Sequence, residues 1–279
     1  MATGMKTLTV WAGATALAAL CSGAAVAETL SASYGIYLAG LPIGRANIGA
    51  NIAGDRYKID VAARMTGLVG AVTKGSGQAT ATGTVSARAP TSSGYALSSQ
   101  SSDGPRTIRV AMAGGNVKAA EMNPPLDPRP DRVPVTEAHK HGVMDPVSAL
   151  IMPAPSGPNG ALDPAGCNRT LPIFDGATRF DVVLSYKEQR QVRSKTYSGP
   201  VLVCAARYVP QAGHRPARQA VKYMEDNRDM EAWLAPIGPK VLIPYRIAVQ
   251  TQIGQALIEA SDFTVQGTTG AIPARAAAR

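Results

Sequence analysis

The sequence contains little of the material from which catalytic and metal sites are usually built. Histidine and cysteine each occur three times in 279 residues, and phenylalanine, tryptophan and tyrosine together make up 5%. No Gly-x-Ser-x-Gly nucleophile elbow is present. A Ser-His-Asp triad assembled by the fold stays open as an alternative, but no catalytic residue, metal site or cofactor is predicted.

Long hydrophobic runs are also missing after the first 27 residues, which have the composition of a secretory signal. Lys6 is their only charged residue, residues 8–20 are apolar or small, and Ala25-Val26-Ala27 is a small-x-small cleavage site. A membrane anchor needs about 20 apolar residues, so we predict cleavage after Ala27 and no transmembrane segment in the mature chain. Cys21 leaves a lipoprotein signal as the alternative. The predicted localisation is the periplasm.

Acidic residues are fewer than basic ones. Because Lys6 leaves with the signal, the mature chain has 27 basic and 19 acidic residues and a formal net charge of +8. Such a chain can bind nucleic acid, anionic headgroups or acidic polysaccharide. Export argues against nucleic acid, and so do basic clusters that lack interleaved aromatic residues.

Two cysteines remain in the mature chain, Cys167 and Cys204. An even pair in an oxidising compartment indicates a disulfide. A redox pair usually has a closer spacing, and a zinc site needs more ligands of this kind. We therefore predict a structural disulfide between the two.

Short strand-like runs separated by turn residues fill residues 30–117 and resume after residue 171. Strands that recur roughly every 8 to 12 residues are typical of an antiparallel meander. The predicted fold class is mainly β, a curved antiparallel meander or half-closed barrel, in one domain over residues 28–266. Pro244 predicts an edge strand or a bulge in its run, and residues 267–279 are expected to form a disordered basic tail.

Three further local predictions concern loops and turns. Five prolines between residues 123 and 134 predict a surface loop. Asp145 followed by Pro146 predicts the start of a short helix over residues 145–152, because the carboxylate accepts free amides and the proline ring pre-sets φ. Residues 195–198 and 201–208 are predicted to be a strand pair around a turn at Gly199-Pro200.

Six segments in order resemble a known family. They are residues 34–44 (YGIYLAGLPIG), 145–150 (DPVSAL), 167–181 (Cys167 through FDGATRFD), 199–204 (GPVLVC), 210–214, and 233–246 (WLAP through PYR). The chain is similar to the domain of unknown function 3108 family (DUF3108), in its alphaproteobacterial exported form. The resemblance implies an exported, mainly β, barrel-like protein, and it brings no established activity.

The densest polar motif spans residues 175–181. Asp175, Arg179 and Asp181 are candidate ligand-binding residues, since a guanidinium offers a planar fork to a carboxylate or phosphate. The structural alternative is a turn at Asp175-Gly176 with Arg179 paired to Asp181 or Asp175.

Two further clusters carry basic or metal-ligating side chains. His214, Arg215 and Arg218, with Lys222 beyond them, are candidates for binding anionic headgroups or glycan acids, with a solvated basic loop as the alternative. His139 and His141, with Asp145 after them, have donor atoms that a metal uses, but their position favours a loop before the predicted helix.

The sequence favours a non-catalytic carrier or envelope-maintenance factor that holds an apolar or lipid-like ligand inside a curved sheet, because barrels of this size commonly enclose ligands. Leu184 and Leu257 are predicted to point inward. The alternative is a scaffold protein whose edge strands bind another envelope protein, and an enzyme is the third possibility.

Overall fold

The computed structural model describes residues 27–73, 75–157 and 159–266, most of which lie in β-strands. The first half of the chain forms β1 (Ala27–Leu38), β2 (Leu41–Ala53), β3 (Arg56–Met65), β4 (Ser76–Val85), β5 (Pro90–Ser101), β6 (Gly104–Ala113) and β7 (Asn116–Asn123). The second half forms β8 (Met152–Pro153), β9 (Arg169–Phe174), β10 (Arg179–Arg193), β11 (Ser198–Ala212), β12 (Met230–Pro236), β13 (Val241–Thr251) and β14 (Gly254–Gln266).

Helical structure in this described part is brief. It comprises the α-helices α1 (Gly67–Thr73) and α2 (Gln219–Asp226) and 3₁₀ turns at Glu137–Lys140, Ser148–Leu150, Gly160–Leu162 and Pro164–Gly166. None of these helices has the length and hydropathy that crossing a membrane requires.

The strands form one antiparallel sheet with the order β7-β6-β5-β4-β3-β2-β1-β14-β13-β12-β11-β10-β9, and β8 pairs with the start of β13. Sequence neighbours pair throughout this order, and the β1–β14 pair joins the two halves. The predicted mainly β antiparallel meander is therefore confirmed. The individual strands follow from the alternation of buried and exposed side chains: β3 buries Tyr57 and Ile59 and exposes Lys58 between them and Asp60 after them.

Residues 143–144 link the two ends of the sheet. The Val143 amide donates to the Gly115 carbonyl oxygen, 2.7 Å away, at the turn that precedes β7. Met144 forms a parallel bridge with Ile173 of β9, and its amide donates to the Pro172 carbonyl oxygen at 2.9 Å. Because these two residues bond to the turn before one edge strand and to the other edge strand itself, they bring the two ends of the open sheet together and make it barrel-like.

The next residue, Asp145, holds this linking segment with a buried hydrogen-bond network. Its Oδ1 accepts from the amides of Val147 (2.9 Å) and Ser148 (2.8 Å), and its Oδ2 accepts from the hydroxyls of Ser92 (2.6 Å) and Ser148 (2.5 Å). Tyr57 Oη donates to Ser148 Oγ at 2.6 Å. Burial raises the pKa of Tyr57 to about 12, so this hydroxyl stays protonated at neutral pH. Asp145 and Ser148 are fully buried, and the network joins the segment to β3 and β5.

Two hydrophobic clusters lie on opposite faces of the second half of the sheet. The first fills the interior with alternate side chains of β1–β6 and with Val201, Ile243 and Phe263. The second lies on the other face and includes Leu202 and Cys204. β11 is therefore buried on both faces. The linking segment contributes to both clusters, because its side chains alternate between them.

The disulfide between Cys167 and Cys204 is present, with a sequence separation of 37. It joins the loop before β9 to the centre of β11 inside the second cluster. The prediction from cysteine count and compartment is confirmed.

Pro244 lies beside a bulge, as predicted. Trp233 pairs with Arg246 and Leu234 with Pro244, so Tyr245 has no partner on β12. The proline is accommodated because the ladder is irregular there.

Two local predictions were wrong and one was too long. Residues 195–197 do not form a strand, because the Ser194 amide donates to the Tyr197 carbonyl oxygen (2.8 Å) and closes a turn there. β11 begins at Ser198, so Gly199-Pro200 lies within that strand and does not form the turn. The basic loop at residues 215–222 gives way at Gln219 to α2. The helix predicted over residues 145–152 is reduced to the 3₁₀ turn Ser148–Leu150, because Ile151 turns extended to reach β8.

The predicted signal, with Lys6, Cys21 and the residues before Ala27, and the predicted tail at residues 267–279 lie outside the described residues. Cleavage after Ala27, the lipoprotein alternative and the tail therefore stay predictions. The single domain over residues 28–266 also stays a prediction.

We expect Asp145→Asn to lower the free energy of unfolding by about 3 kcal/mol, since an amide group cannot accept from two hydroxyls and two amides at once, and a buried donor left without an acceptor costs about 1–3 kcal/mol. Urea unfolding followed by circular dichroism measures this. Asp60→Asn is the matched control on an exposed carboxylate, and its effect should stay below about 1 kcal/mol. Equal losses in the two variants would contradict a central role for Asp145.

We expect a Cys167→Ser, Cys204→Ser double variant to lose about 4 kcal/mol of stability, because the bond closes a loop of 37 residues in the unfolded chain. Thermal unfolding of this variant, and of the natural chain with and without reductant, measures the loss. Two titratable thiols in the oxidised natural protein would show the prediction to be wrong.

Candidate functional site

A groove of about 830 Å³ crosses β1–β5 on the face of the sheet that points away from the interior. We call it the outer groove. Two cross-strand rows of directly paired residues line it: Gly35, Arg45, Arg64, Ser76 and Gln100, and beside them Ser33, Asn47, Ala62, Gln78 and Ser98. Five strands at the usual spacing make the groove roughly 20 Å wide.

The lining of the outer groove is polar, small and cationic. Hydroxyl and amide side chains dominate it, and it contains Arg45 and Arg64 but no aspartate or glutamate. Large apolar side chains are absent from its two rows. An apolar ligand placed here would leave these polar groups without hydrogen bonds, which is unfavourable.

Arg45 and Arg64 are direct neighbours across the β2–β3 ladder, and both are exposed. Neither takes part in any ion pair found among the described residues. Their guanidinium groups are therefore available to a ligand.

Tyr37 lies at the β1 end of the groove, with its ring against the backbone of Gly35. A Cβ on Gly35 would lie 2.6 Å from the ring atom Cε2, so a larger residue would displace the ring. Ring and glycine together make an aromatic surface at the edge of a polar groove.

Some polar groups in the groove already have partners. Ser33 Oγ donates to Asn47 Oδ1 at 2.9 Å, and Gln100 Nε2 donates to the Ser101 carbonyl oxygen at 3.1 Å. Ser76, Gln78 and Ser98 form no side-chain hydrogen bond within the described part of the chain, so they face solvent and are open to a ligand.

The polar motif predicted from residues 175–181 is a structural element. Asp175 closes its own turn, accepting from the amides of Ala177 (2.8 Å) and Thr178 (2.7 Å) and from the Thr178 hydroxyl. Arg179 pairs with Asp181 at 2.6 Å, and Gln211 Nε2 donates to the same carboxylate. Arg179 and Asp181 thus pair with each other, and the Asp175 carboxylate is occupied by the hydrogen bonds of its own turn.

His214, Arg215 and Arg218 follow the end of β11, and the first two of them bond to the proline-rich loop. Arg215 Nε lies 2.9 Å from both carboxylate oxygens of Asp131, and the Val133 amide donates to the His214 carbonyl oxygen. His214 Nδ1 is buried and has no hydrogen-bond partner among the described residues. Arg218 precedes α2, where its carbonyl oxygen accepts from the Val221 and Lys222 amides.

The two histidines that were considered as metal ligands, His139 and His141, have partners other than Asp145. His139 Nδ1 accepts from the Thr136 amide, and His141 Nδ1 lies 3.0 Å from Asn116 Oδ1. Asp145 points instead to Ser92 and Ser148. In the described ranges no group of three or more His, Cys, Asp or Glu side chains has metal-site geometry.

Packed side chains occupy the interior where β1, β13 and β14 meet. Tyr197, Tyr245 and Phe263 contact one another with ring centroids 5.3–5.7 Å apart, and Tyr34 Oη donates to the Pro244 carbonyl oxygen. Leu184, predicted to line a cavity, is buried in the second cluster, and Leu257 is only half-buried.

Sequence reasoning did not single out the outer groove. The signal was present in the exposed alternate positions of β2–β5, which are nearly all small or polar. What the sequence alone did not supply was the register that places Arg45 beside Arg64.

This architecture defines a β-barrel-like protein with a polar groove on its outer face. The solved crystal structure of a β-barrel-like protein of the domain of unknown function DUF1849 from Brucella abortus is similar, with a TM-score of 0.51 and 11% sequence identity over 88% of this chain and 99% of that one. At this identity the similarity concerns the fold alone.

The family is given by sequence. The model of the protein of unknown function family DUF3108 matches residues 33–261, so the chain belongs to that family. No curated protein matches the chain.

Proposed function

We propose that this protein is an exported, non-catalytic binding protein of the periplasm that holds a glycan chain of the cell envelope in its outer groove. The observation that carries the proposal is the lining of the groove: hydroxyl and amide side chains spread over five strands, with an aromatic ring at the β1 end. These groups match the hydroxyls of a sugar chain, and the ring offers a flat apolar surface to a sugar face.

The packed interior supports an outer site over an enclosed one. The aromatic cluster of Tyr197, Tyr245 and Phe263 and the buried linking segment occupy space that an apolar ligand inside the sheet would need. The proposal therefore keeps the non-catalytic binding role of the carrier hypothesis but changes the ligand. A polar chain on the outer face replaces a lipid-like molecule inside the sheet.

A binding role fits the polar networks better than a catalytic one. Ser92, Ser148 and Asp145 resemble a nucleophile set only in composition, because all three are at most 1% exposed and their hydrogen bonds hold the fold. Structural disulfides of this kind are usual in proteins of an oxidising compartment. The predicted signal sequence would direct the chain to such a compartment.

Binding of another envelope protein is the second candidate. It is favoured by β7, an edge strand with exposed residues at its centre. An extended segment of a partner adds to such an edge through backbone hydrogen bonds. Lys118 and Glu121 on the same strand are the kind of charged residues that protect an edge from pairing, which places this candidate second.

Gln78→Trp tests the proposal, because an indole at the centre of the groove blocks a chain that crosses it. We expect the affinity of the purified mature protein for polygalacturonate, measured by isothermal titration calorimetry, to fall about tenfold or more, which corresponds to about 1.4 kcal/mol.

Thr82→Trp is the matched control, four residues along the same strand and on the same face but outside the groove. It should bind as the natural protein does. If both tryptophan variants bind polygalacturonate equally well, the ligand does not bind in the outer groove and the proposal is wrong. A lipid that co-purifies with the natural protein in native mass spectrometry would favour the original carrier hypothesis instead.

A further inference from the structure

Arg45 and Arg64 form an unusual like-charge pair on this sheet. Direct cross-strand neighbours have Cβ atoms about 4.5–5.5 Å apart, and like charges in such positions are destabilising. The other neighbours of the pair in its row are Gly35 and Ser76, and those in the next row are Asn47 and Ala62, so no acidic side chain adjoins it there.

Two other arginines of the sheet lie opposite an acidic residue. Arg246 lies opposite Glu259 and forms an ion pair of 3.4 Å with it, and Arg109 lies opposite Glu121. Lys58 pairs with Asp60 at 3.1 Å on the same strand and face as Arg64. Among the strand pairs of the described residues, Arg45 and Arg64 are the one place where two charges of the same sign lie directly opposite each other, and this place falls inside the outer groove.

From this juxtaposition we infer that Arg45 and Arg64 together bind one acidic group of the glycan, a carboxylate, in the outer groove. Each guanidinium is a planar fork that matches the two oxygens of a carboxylate, and the bound anion supplies the counter-charge that the protein omits. The ligand class is an acidic polysaccharide bearing uronic-acid-type carboxylates. This inference rests on the proposed function, since it names the chemistry of the chain held in the same groove.

The experiment compares two forms of one polymer, polygalacturonate and its fully methyl-esterified form, which has the same chain without charge. Arg45→Gln and Arg64→Gln each remove one guanidinium charge. We expect each to weaken polygalacturonate binding about tenfold or more at fixed salt, as expected for loss of a charge-assisted hydrogen-bonded contact, and to leave binding of the esterified form unchanged.

The matched control is Arg56→Gln, an exposed arginine on β3 and on the same face as Arg64 but outside the groove. It removes the same charge and should change the affinity less than twofold. If it weakens binding as much as Arg64→Gln, attraction is a general effect of net charge and the inference fails.

A second measurement needs no ligand. Because the pair is repulsive when empty, Arg64→Gln should raise the Tm of the unliganded protein by about 1–3 °C, whereas Arg56→Gln should not. A variant that is both more stable and weaker in binding is the signature of an anion site, and a variant that merely unfolds would show a lower Tm.

The outcomes separate the two proposals. If Gln78→Trp abolishes binding while both arginine variants bind polygalacturonate as tightly as the natural protein, the groove is the glycan site and the arginine pair has no role in it. If the natural protein binds neither form of the polymer, the proposed function falls and the inference falls with it.

Discussion

The buried carboxylate of Asp145 is the interaction on which the closed form of this sheet depends. A buried carboxyl group is tolerated only when its oxygens are hydrogen-bonded, and here two amides and two hydroxyls meet that requirement. One of the hydroxyls comes from Ser92 on β5, while the residues just before Asp145 bridge the turn preceding β7 and the edge of β9. A single side chain thus fixes the segment that joins both ends of an otherwise open sheet.

Closing the sheet in this way has a consequence for where a ligand can bind. The linking segment brings its own apolar side chains inside and divides them between two clusters, and the aromatic residues of β13, β14 and the β10–β11 turn fill the space beside them. Barrels with hollow interiors hold ligands there, whereas here the interior is used for packing. The surface with free hydrogen-bonding groups and uncompensated charge lies on the outside, across β1–β5.

The relation to the Brucella abortus protein illustrates how little a shared architecture says about function. Eleven per cent identity preserves the course of the strands and leaves nearly every outward-facing side chain free to differ. Specificity in such a fold is carried by the exposed alternate positions, because these change without cost to the core. The Arg45–Arg64 pair is a feature of this kind, since replacing it would relieve a repulsion rather than open a cavity.

Features that depend on neighbouring residues were determined by the sequence itself. The alternation of apolar and polar residues predicted most of the strands, and Pro244 predicted an irregularity in its strand. Asp145 followed by Pro146 predicted that the carboxylate binds backbone amides nearby. Each of these effects acts within a few residues of the chain. The disulfide followed from the two cysteines that remain when the predicted signal is set aside. Predictions failed where two local turn signals competed, as at residues 194–200. There the hydrogen bonds between Ser194 and Tyr197 form the turn, whereas Gly199-Pro200 continues as strand.

Only the tertiary structure decided which distant residues meet. The Ser92 hydroxyl reaches Asp145 across 53 positions, and Arg45 meets Arg64 because the β2–β3 register places them opposite each other. A shift of one residue would send every side chain of a strand to the other face, so the register is fixed by packing of the buried face as a whole. The physical reason is that strand periodicity is local, whereas register, closure and the filling of the interior are set by contacts between segments far apart in the chain.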